Sequence, residues 1–247
     1  MNKISRVGEK YPTREGDEVE IIEYFSSNSV TLKFKNGTIT KNNQFSPVKR
    51  GTVKNPNTPS ACSVGYMGQG IFKSKDNNKV VVAHQTWINM LKRCYSEAYQ
   101  IKYPSYIGVV VCESWKCYQN FAKWYYENYV NGWHLDKDIL CKECRIYSPK
   151  TCCFVPHKIN TLITNNKKDR GDLPIGVTIK GDKYISQSRQ SSKKTINLGA
   201  FDTPERAFQV YKEAKEKYIK NVTEKYKENL SPNVYKILIN YIVKITD

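Results

Sequence analysis

The stretch Pro174–Lys217, PIGVTIKGDKYISQSRQSSKKTINLGAFDTPERAFQVYKEAKEK, restricts the possible folds of this chain more than any other segment. Three short alternating runs are followed, without a spacer, by an amphipathic helix with its own start signal. Thr203 suits an N-cap, Pro204 the first helical position, and Glu205 puts negative charge in the first turn. Phe208, Tyr211, Ala214 and Tyr218 recur at helical spacing and make one apolar stripe. In the strands, alternation sets Val177 and Ile179 against Thr178 and Lys180, and Ile196 and Leu198 against Thr195 and Asn197, with Gln187 and Arg189 on one side of the middle strand. A helix covering one face of such a sheet leaves the other polar and cationic. A face of that kind fits a major groove, where Arg and Gln side chains read base edges.

The segments GVTIK, KYISQSR and INLGAFDTPERAFQVYKEAK resemble the Apetala/ethylene-response-factor DNA-binding domain, which also occurs in phage and mobile-element endonucleases. The resemblance covers some 45 residues by sequence. It implies that Thr178, Lys180, Gln187, Arg189, Thr195 and Asn197 face double-stranded DNA, with Lys193 and Lys194 as neighbouring cationic contacts. That family often carries Arg or Trp where this chain has Thr195 and Asn197, so base preference does not transfer.

Charge supports a polyanionic partner. The chain has 247 residues, 40 of them Lys or Arg against 23 Asp or Glu, for a formal charge of +17. The excess is spread: ten basic against six acidic residues in 1–57, 13 against seven in 58–165, and 17 against ten in 166–247. An extended footprint on nucleic acid is therefore expected, rather than one basic arm. No apolar run approaches the ~18 residues of a spanning helix. MNKISRVGEKYP lacks a signal-peptide core, and no lipidation signal accompanies the charge, so a cytoplasmic protein of a bacterial host cell is expected, with no membrane partner. Its eight cysteines are then expected reduced.

The fold class expected is α+β and multidomain. In residues 1–57, EVEIIEY and VTLKFKNGTI alternate, with Val30, Leu32 and Phe34 opposite Thr31, Lys33 and Lys35, and Asn36-Gly37 marks a hairpin. Such a sheet is expected to close as a small β-barrel, and it resembles the KOW/Tudor-like barrels. Its role is either spacing and docking or direct nucleic-acid contact. Residues 53–70, rich in Pro, Asn, Ser and Gly, read as a linker, and 165–174 as a second break before the DNA-binding module of 171–247. In the closing SPNVYKILINYIVKITD, Val234, Ile237, Leu238, Tyr241, Ile242 and Ile245 form a stripe that packs on its own chain or in a homodimer.

The middle region, 58–165, holds two helical stripes: Trp87, Met90, Leu91 and Cys94, then Trp115, Tyr118, Phe121, Ala122 and Tyr125. A hairpin pattern and a third helix follow, over GWHLDKDIL, CKECR, IYSP, CCFVP and HKINTLITNNK. A strand carboxylate followed by a helical Asn can bring Asp136 and Asn160 onto one divalent cation, and oxygen ligands of that kind suit Mg²⁺. LDKD and FVPHKIN resemble the HNH (ββα-metal) family of phage homing endonucleases. WINMLKRCY, YPSYIGVVVCESW and IYSPKTCCFVP resemble the wider set of phage HNH-like proteins. The resemblance implies a metal-dependent DNA endonuclease with Asp136 and Asn160 as metal ligands. The family's general-base histidine falls on Lys137, and His134 and His157, with His84 third, are the candidates to replace it. Two alternatives remain: a catalytically inactive HNH-like DNA-binding regulator, and a phage inhibitor protein acting on host defence machinery. Cys141 and Cys144 form a C-x2-C knuckle with Cys152, Cys153 and His157 downstream, a candidate zinc site. Cys94, Cys112 and Cys117 read as small core residues, and no Cys nucleophile is expected.

Overall fold

Asn36-Gly37 makes the turn its sequence signals. Gly37 adopts φ +85°, Phe34 N donates to the Thr38 carbonyl at 2.8 Å, and Asn36 Oδ1 accepts from Thr38 N at 3.1 Å. This hairpin belongs to a meander of β1 (Lys10–Pro12), β2 (Glu18–Ser26), β3 (Ser29–Phe34) and β4 (Ile39–Asn43), paired in that order. The computed structural model describes residues 5–163, 172–191 and 194–245. They divide into two compact units, Met1–Glu127 and Asn128–Asp247.

The N-terminal sheet is not a barrel: among the described residues it stays open, with β1 and β4 as its edges. β1 is three residues long and ends at Pro12, which offers no N–H for further pairing. Helix α1 (Phe45–Lys49), not a fifth strand, closes the apolar face. Val48 joins Val19, Ile21, Val30, Leu32 and Phe34 in one core, and Phe45 meets the edges of Tyr11 and Tyr24 at 5.8 Å each. Thr31, expected on the outer face with Lys33, is buried there, because its hydroxyl donates to Glu23 Oε2 at 2.6 Å.

Residues 53–70 contain no named strand or helix, yet they form a strap rather than a linker. Asn55 is buried and donates to Asn36 Oδ1 at 3.1 Å, and Gln69 Nε2 donates to the Ile39 carbonyl at 2.7 Å. Tyr66 N donates to the Lys116 carbonyl, and Tyr118 N to the Tyr66 carbonyl, both at 2.9 Å. The strap passes so close to the helices that a Cβ on Gly65 would overlap the Leu91 and Trp87 side chains. After it come the hairpin β5 (Lys75–Asp76) and β6 (Lys79–Val80), then α2 (Val82–Tyr95), α3 (Glu97–Lys102), a 3-10 turn at Pro104–Tyr106, β7 (Val110–Val111), α4 (Glu113–Lys116) and α5 (Tyr118–Asn128). Both expected stripes are buried to the last residue. The second is split between α4 and α5 by an extended Cys117. Trp87 Nε1 donates to the Trp115 carbonyl at 2.7 Å, so the two stripes share a satisfied buried polar group. Cys94 and Cys117 are core residues as expected, whereas Cys112 is only half-buried, at the start of α4.

The second unit contains β8 (Trp133–Asp136), β9 (Ile146–Tyr147), β10 (Cys153–Pro156) and α6 (His157–Ile163). The antiparallel sheet β11 (Val177–Lys180), β12 (Lys183–Ser191) and β13 (Lys194–Phe201) follows, then α7 (Pro204–Glu224) and α8 (Pro232–Ile239). Thr203 Oγ1 caps α7, accepting from Arg206 N at 3.3 Å. The helix has 21 residues, and its two halves serve different cores. Ala207, Phe208 and Tyr211 pack with Val177 beneath the three-stranded sheet. Ile219 and Val222 pack with Val155, Ile159 and Leu162 of the β10–α6 segment, together with Val234 and Leu238 of α8. Gly176 adopts φ +78°, and a Cβ there would overlap the Tyr211 ring, so both its conformation and its packing require glycine. The C-terminal stripe does not run to Ile245. Helix α8 ends at Ile239, Ile242 and Ile245 are exposed, and the chain turns so that Val243 is buried, its N–H donating to Glu216 Oε1 at 2.9 Å.

Candidate nucleic-acid interface and metal centre

Strand register decides which side chains share the open face of the three-stranded sheet. Gln187 lies opposite Asn197 and Arg189 opposite Thr195, and all four are exposed. Directly opposed residues on one face stand about 5 Å apart at Cβ, so the four form a compact polar square. Thr178 and Lys180 on β11 are exposed beside it, Thr178 pairing with Ile185. A register shift after Ser186 leaves Leu198 unpaired on β13 and brings Asn197 into line with Gln187. Asn197 Oδ1 accepts from Gly199 N at 3.0 Å and braces that bulge, which leaves its NH₂ group to donate outward. Lys193 lies outside the described residues, and so does the side chain of Lys194.

Three inner-face positions depart from the polarity pattern. Ile179, expected inside, is 58% exposed: the α7 core reaches β11 at Val177 and stops short of Ile179 near the strand's end. Ser186 and Ser188 are fully buried, and their hydroxyls have no hydrogen-bond partner among the described residues. Alternation around Gln187 and Arg189 was the available signal for their inward direction.

The second constellation is built by β8, β10 and α6. His134 pairs with Val155, and Asp136 with Cys153. β10 runs directly into α6, so His157 follows Val155 by two residues, and the His134 and His157 rings lie 4.8 Å apart, centroid to centroid. Both histidines are exposed. Asp136, two residues from His134, projects to the same side of β8. Its Oδ1 accepts from Asp138 N and Ile139 N, both at 2.8 Å. Burial raises its carboxyl pKa above the ordinary range despite these donors. Among the described residues Asp136 has no ion pair, because the neighbouring cation, Lys137, is paired with Asp138. Asn160, half-buried, lies one helical turn beyond His157. Lys158, next to His157 in sequence, carries its ammonium 5.5 Å from the centre of the Tyr218 ring. Among the described residues no three His, Cys, Asp or Glu side chains gather as a ligand group.

The cysteine knuckle is a disulfide. Cys141 and Cys144 are bonded to each other around a tight turn, in which Cys144 N donates to the Cys141 carbonyl at 3.2 Å. This corrects the expectation that all eight cysteines are reduced: the turn brings the two sulfurs together. Sulfurs so joined have no thiolate to give zinc. Cys152 and Cys153 are buried and stand outside any disulfide. Burial, reinforced by the Asp136 charge, pushes the Cys153 thiol up and away from the thiolate form.

His84 belongs to the first unit, where it contacts the rings of Trp87 and Tyr118 at 5.6 and 5.0 Å. Its Nδ1 is buried without a hydrogen-bond partner among the described residues. Burial first, and Lys75 second, lower its pKa below the ordinary imidazole value. Protonation therefore favours the unfolded chain. The stability is complete above about pH 6.5 and is lost as pH falls toward the lower folded value. Tryptophan-monitored denaturant unfolding should show the first unit weakening between about pH 7 and pH 5, and His84→Phe should flatten that slope. Equal slopes in both proteins would exclude His84 as the source. Comparison with known proteins finds no family model, no curated protein and no solved structure that matches this chain.

Proposed function

We propose that this protein binds double-stranded DNA through the open face of β11–β13 and hydrolyses its phosphodiester backbone at β8–β10–α6. The observation that carries the reading is the His134–His157 pair, 4.8 Å apart, on the side of β8 that also bears Asp136. Lys137 is tied to Asp138 and has no lone pair for an attacking water. An imidazole does, and either histidine can take that proton while the other donates a hydrogen bond to phosphate. Asp136 and Asn160 are the residues that would hold a Mg²⁺-like cation, for which a half-buried carboxylate that makes no ion pair among the described residues is a fitting ligand. When bound, such a cation neutralises charge developing on the leaving oxygen. On the sheet, Arg189 and Gln187 are placed to read base edges. Lys180 supplies positive charge for phosphates.

Incubating supercoiled plasmid with the protein, with and without Mg²⁺, tests the catalytic half; nicking that chelator abolishes is the expected result. DNA that is bound but stays intact over hours with every divalent metal tried favours a second reading, the inactive DNA-binding regulator. One observation supports it: Asp136 Oδ1 is already engaged in capping its own turn. The binding half predicts that Arg189→Ala costs about 1–3 kcal/mol against a preferred site and relaxes selectivity there. Competition binding across a randomised duplex library measures this. A uniform loss over all sequences would make Arg189 a phosphate contact instead.

A further inference from the structure

The hairpin β5–β6 is too small to be stable by itself. Each strand has two residues, and every residue from Lys75 to Val80 is exposed. Its form is imposed at both ends. At the tip, Asn77 and Asn78 both take left-handed conformations, φ 45° and 62°, the geometry of a tight primed turn. At the base, the Gln119 amide brackets Phe72: Oε1 accepts from Phe72 N, and Nε2 donates to the Phe72 carbonyl, both at 3.0 Å. Tyr118 donates its hydroxyl to the Lys73 carbonyl at 3.0 Å. Burial pushes that phenol up to about 12, so it stays a donor throughout the working pH range. Val81 N closes the neck on the Ser74 carbonyl at 3.1 Å. The result is a finger held stiffly on buried aromatic residues, with nothing of its own to bury.

Its charge is net positive, two lysines against Asp76, which shares the Lys79 face. Lys75 pairs with Val80, and Asp76 with Lys79. Cross-strand partners share a face and neighbours alternate, so Lys75 and Lys79 project from opposite faces of the ribbon. Among the described residues neither makes a salt bridge. At ~3.3 Å per residue the asparagine tip stands about 10 Å beyond the Ser74–Val81 neck, comparable with the ~8.5 Å depth of a major groove, which admits a two-stranded ribbon. We infer that β5–β6 is a groove-entering finger for double-stranded DNA, with Lys75 and Lys79 each meeting one phosphate backbone and Asn77-Asn78 directed to the base edges. This inference rests on the proposed DNA binding and adds a contact supplied by the first unit.

The test is the salt dependence of affinity for a duplex of about 30 base pairs, measured by fluorescence anisotropy on the full chain. Lys75→Gln/Lys79→Gln should lower the slope of log K against log salt by about two and weaken binding roughly 50-fold near 0.1 M salt. The control Lys33→Gln/Lys35→Gln removes equal charge from exposed positions on and just after β3 of the N-terminal sheet and should leave the slope nearly unchanged. An unchanged slope in the finger variant overturns the inference, as does an equal drop in both variants, which would mean a net-charge effect only. If the finger variant keeps its slope while Arg189→Ala weakens binding, the finger fails and the sheet reading stands. The reverse pattern retains the finger and removes the sheet, and absence of any duplex binding by the unmodified chain rejects both.

Discussion

Asp136→Ala is expected to lower metal-dependent cleavage at least about 100-fold while changing duplex affinity less than about threefold, because a metal ligand acts in the transition state more than in ground-state binding. Asp136→Asn refines the result. An amide oxygen can still accept from Asp138 N and Ile139 N, so the turn is retained while the charge is removed. In chelator this variant should therefore melt above the unmodified protein, since a half-buried carboxylate that makes no ion pair among the described residues carries a desolvation cost. Added Mg²⁺ should raise the melting temperature of the unmodified chain and leave Asp136→Asn where it was. Unchanged cleavage in Asp136→Ala would mean that the reaction occurs elsewhere. Lys137→His then separates two mechanisms. A rate increase shows that the site lacked a base, and no increase shows that His134 or His157 already provides one.

Leu238→Ala is expected to be the most damaging single truncation among those considered, about 2–5 kcal/mol, corresponding to a fall of roughly 10 °C or more in the melting temperature of the second unit. Leu238 is fully buried where α8 meets Ile219 and Val222 of α7 and Val155 and Ile159 of the β10–α6 segment. The same α7 packs its other half beneath the β11–β13 sheet. The variant should therefore weaken both constellations together. Hydrogen exchange of backbone amides in β10 and β12 should accelerate in parallel, with a common opening free energy. Exchange that accelerates in β10 alone would show that the sheet folds independently. For the same reason a fragment of 171–247 would expose Ile219, Val222, Val234 and Leu238, which the preceding segment covers in the intact chain.

Much of this architecture was legible locally. The Asn36-Gly37 turn, the Thr203 cap and the stripes through Trp87 and Trp115 all depend on residues within a few positions of one another, and all formed as their chemistry requires. The order of strand, strand and helix around Asp136 and Asn160 was legible too, and it brought His134 and His157 together because β10 continues without a break into α6. The finger at 75–80 had a signal that was passed over: Asn77-Asn78 between lysine-bearing strands is a primed-turn sequence.

What the sequence by itself determined were the periodicities, caps and turns, because each is settled by φ/ψ preference and by hydrogen bonds spanning a few residues. What only the tertiary structure decided were features with partners distant in sequence. An alternating sheet can close or stay open, and α1 rather than another strand took the apolar face. A Pro- and Asn-rich segment can hang loose or lie down, and 53–70 lies down because Asn55, Gln69 and Tyr66 find partners up to 50 residues away, at Asn36, Ile39 and Lys116. A helix of 21 residues can outlast the module that begins it, and α7 joined two cores that composition divides at 165–174. Burial is a property of a residue's surroundings, and polarity along the chain does not specify it: Ile179 is left outside while Ser186 and Ser188 are enclosed.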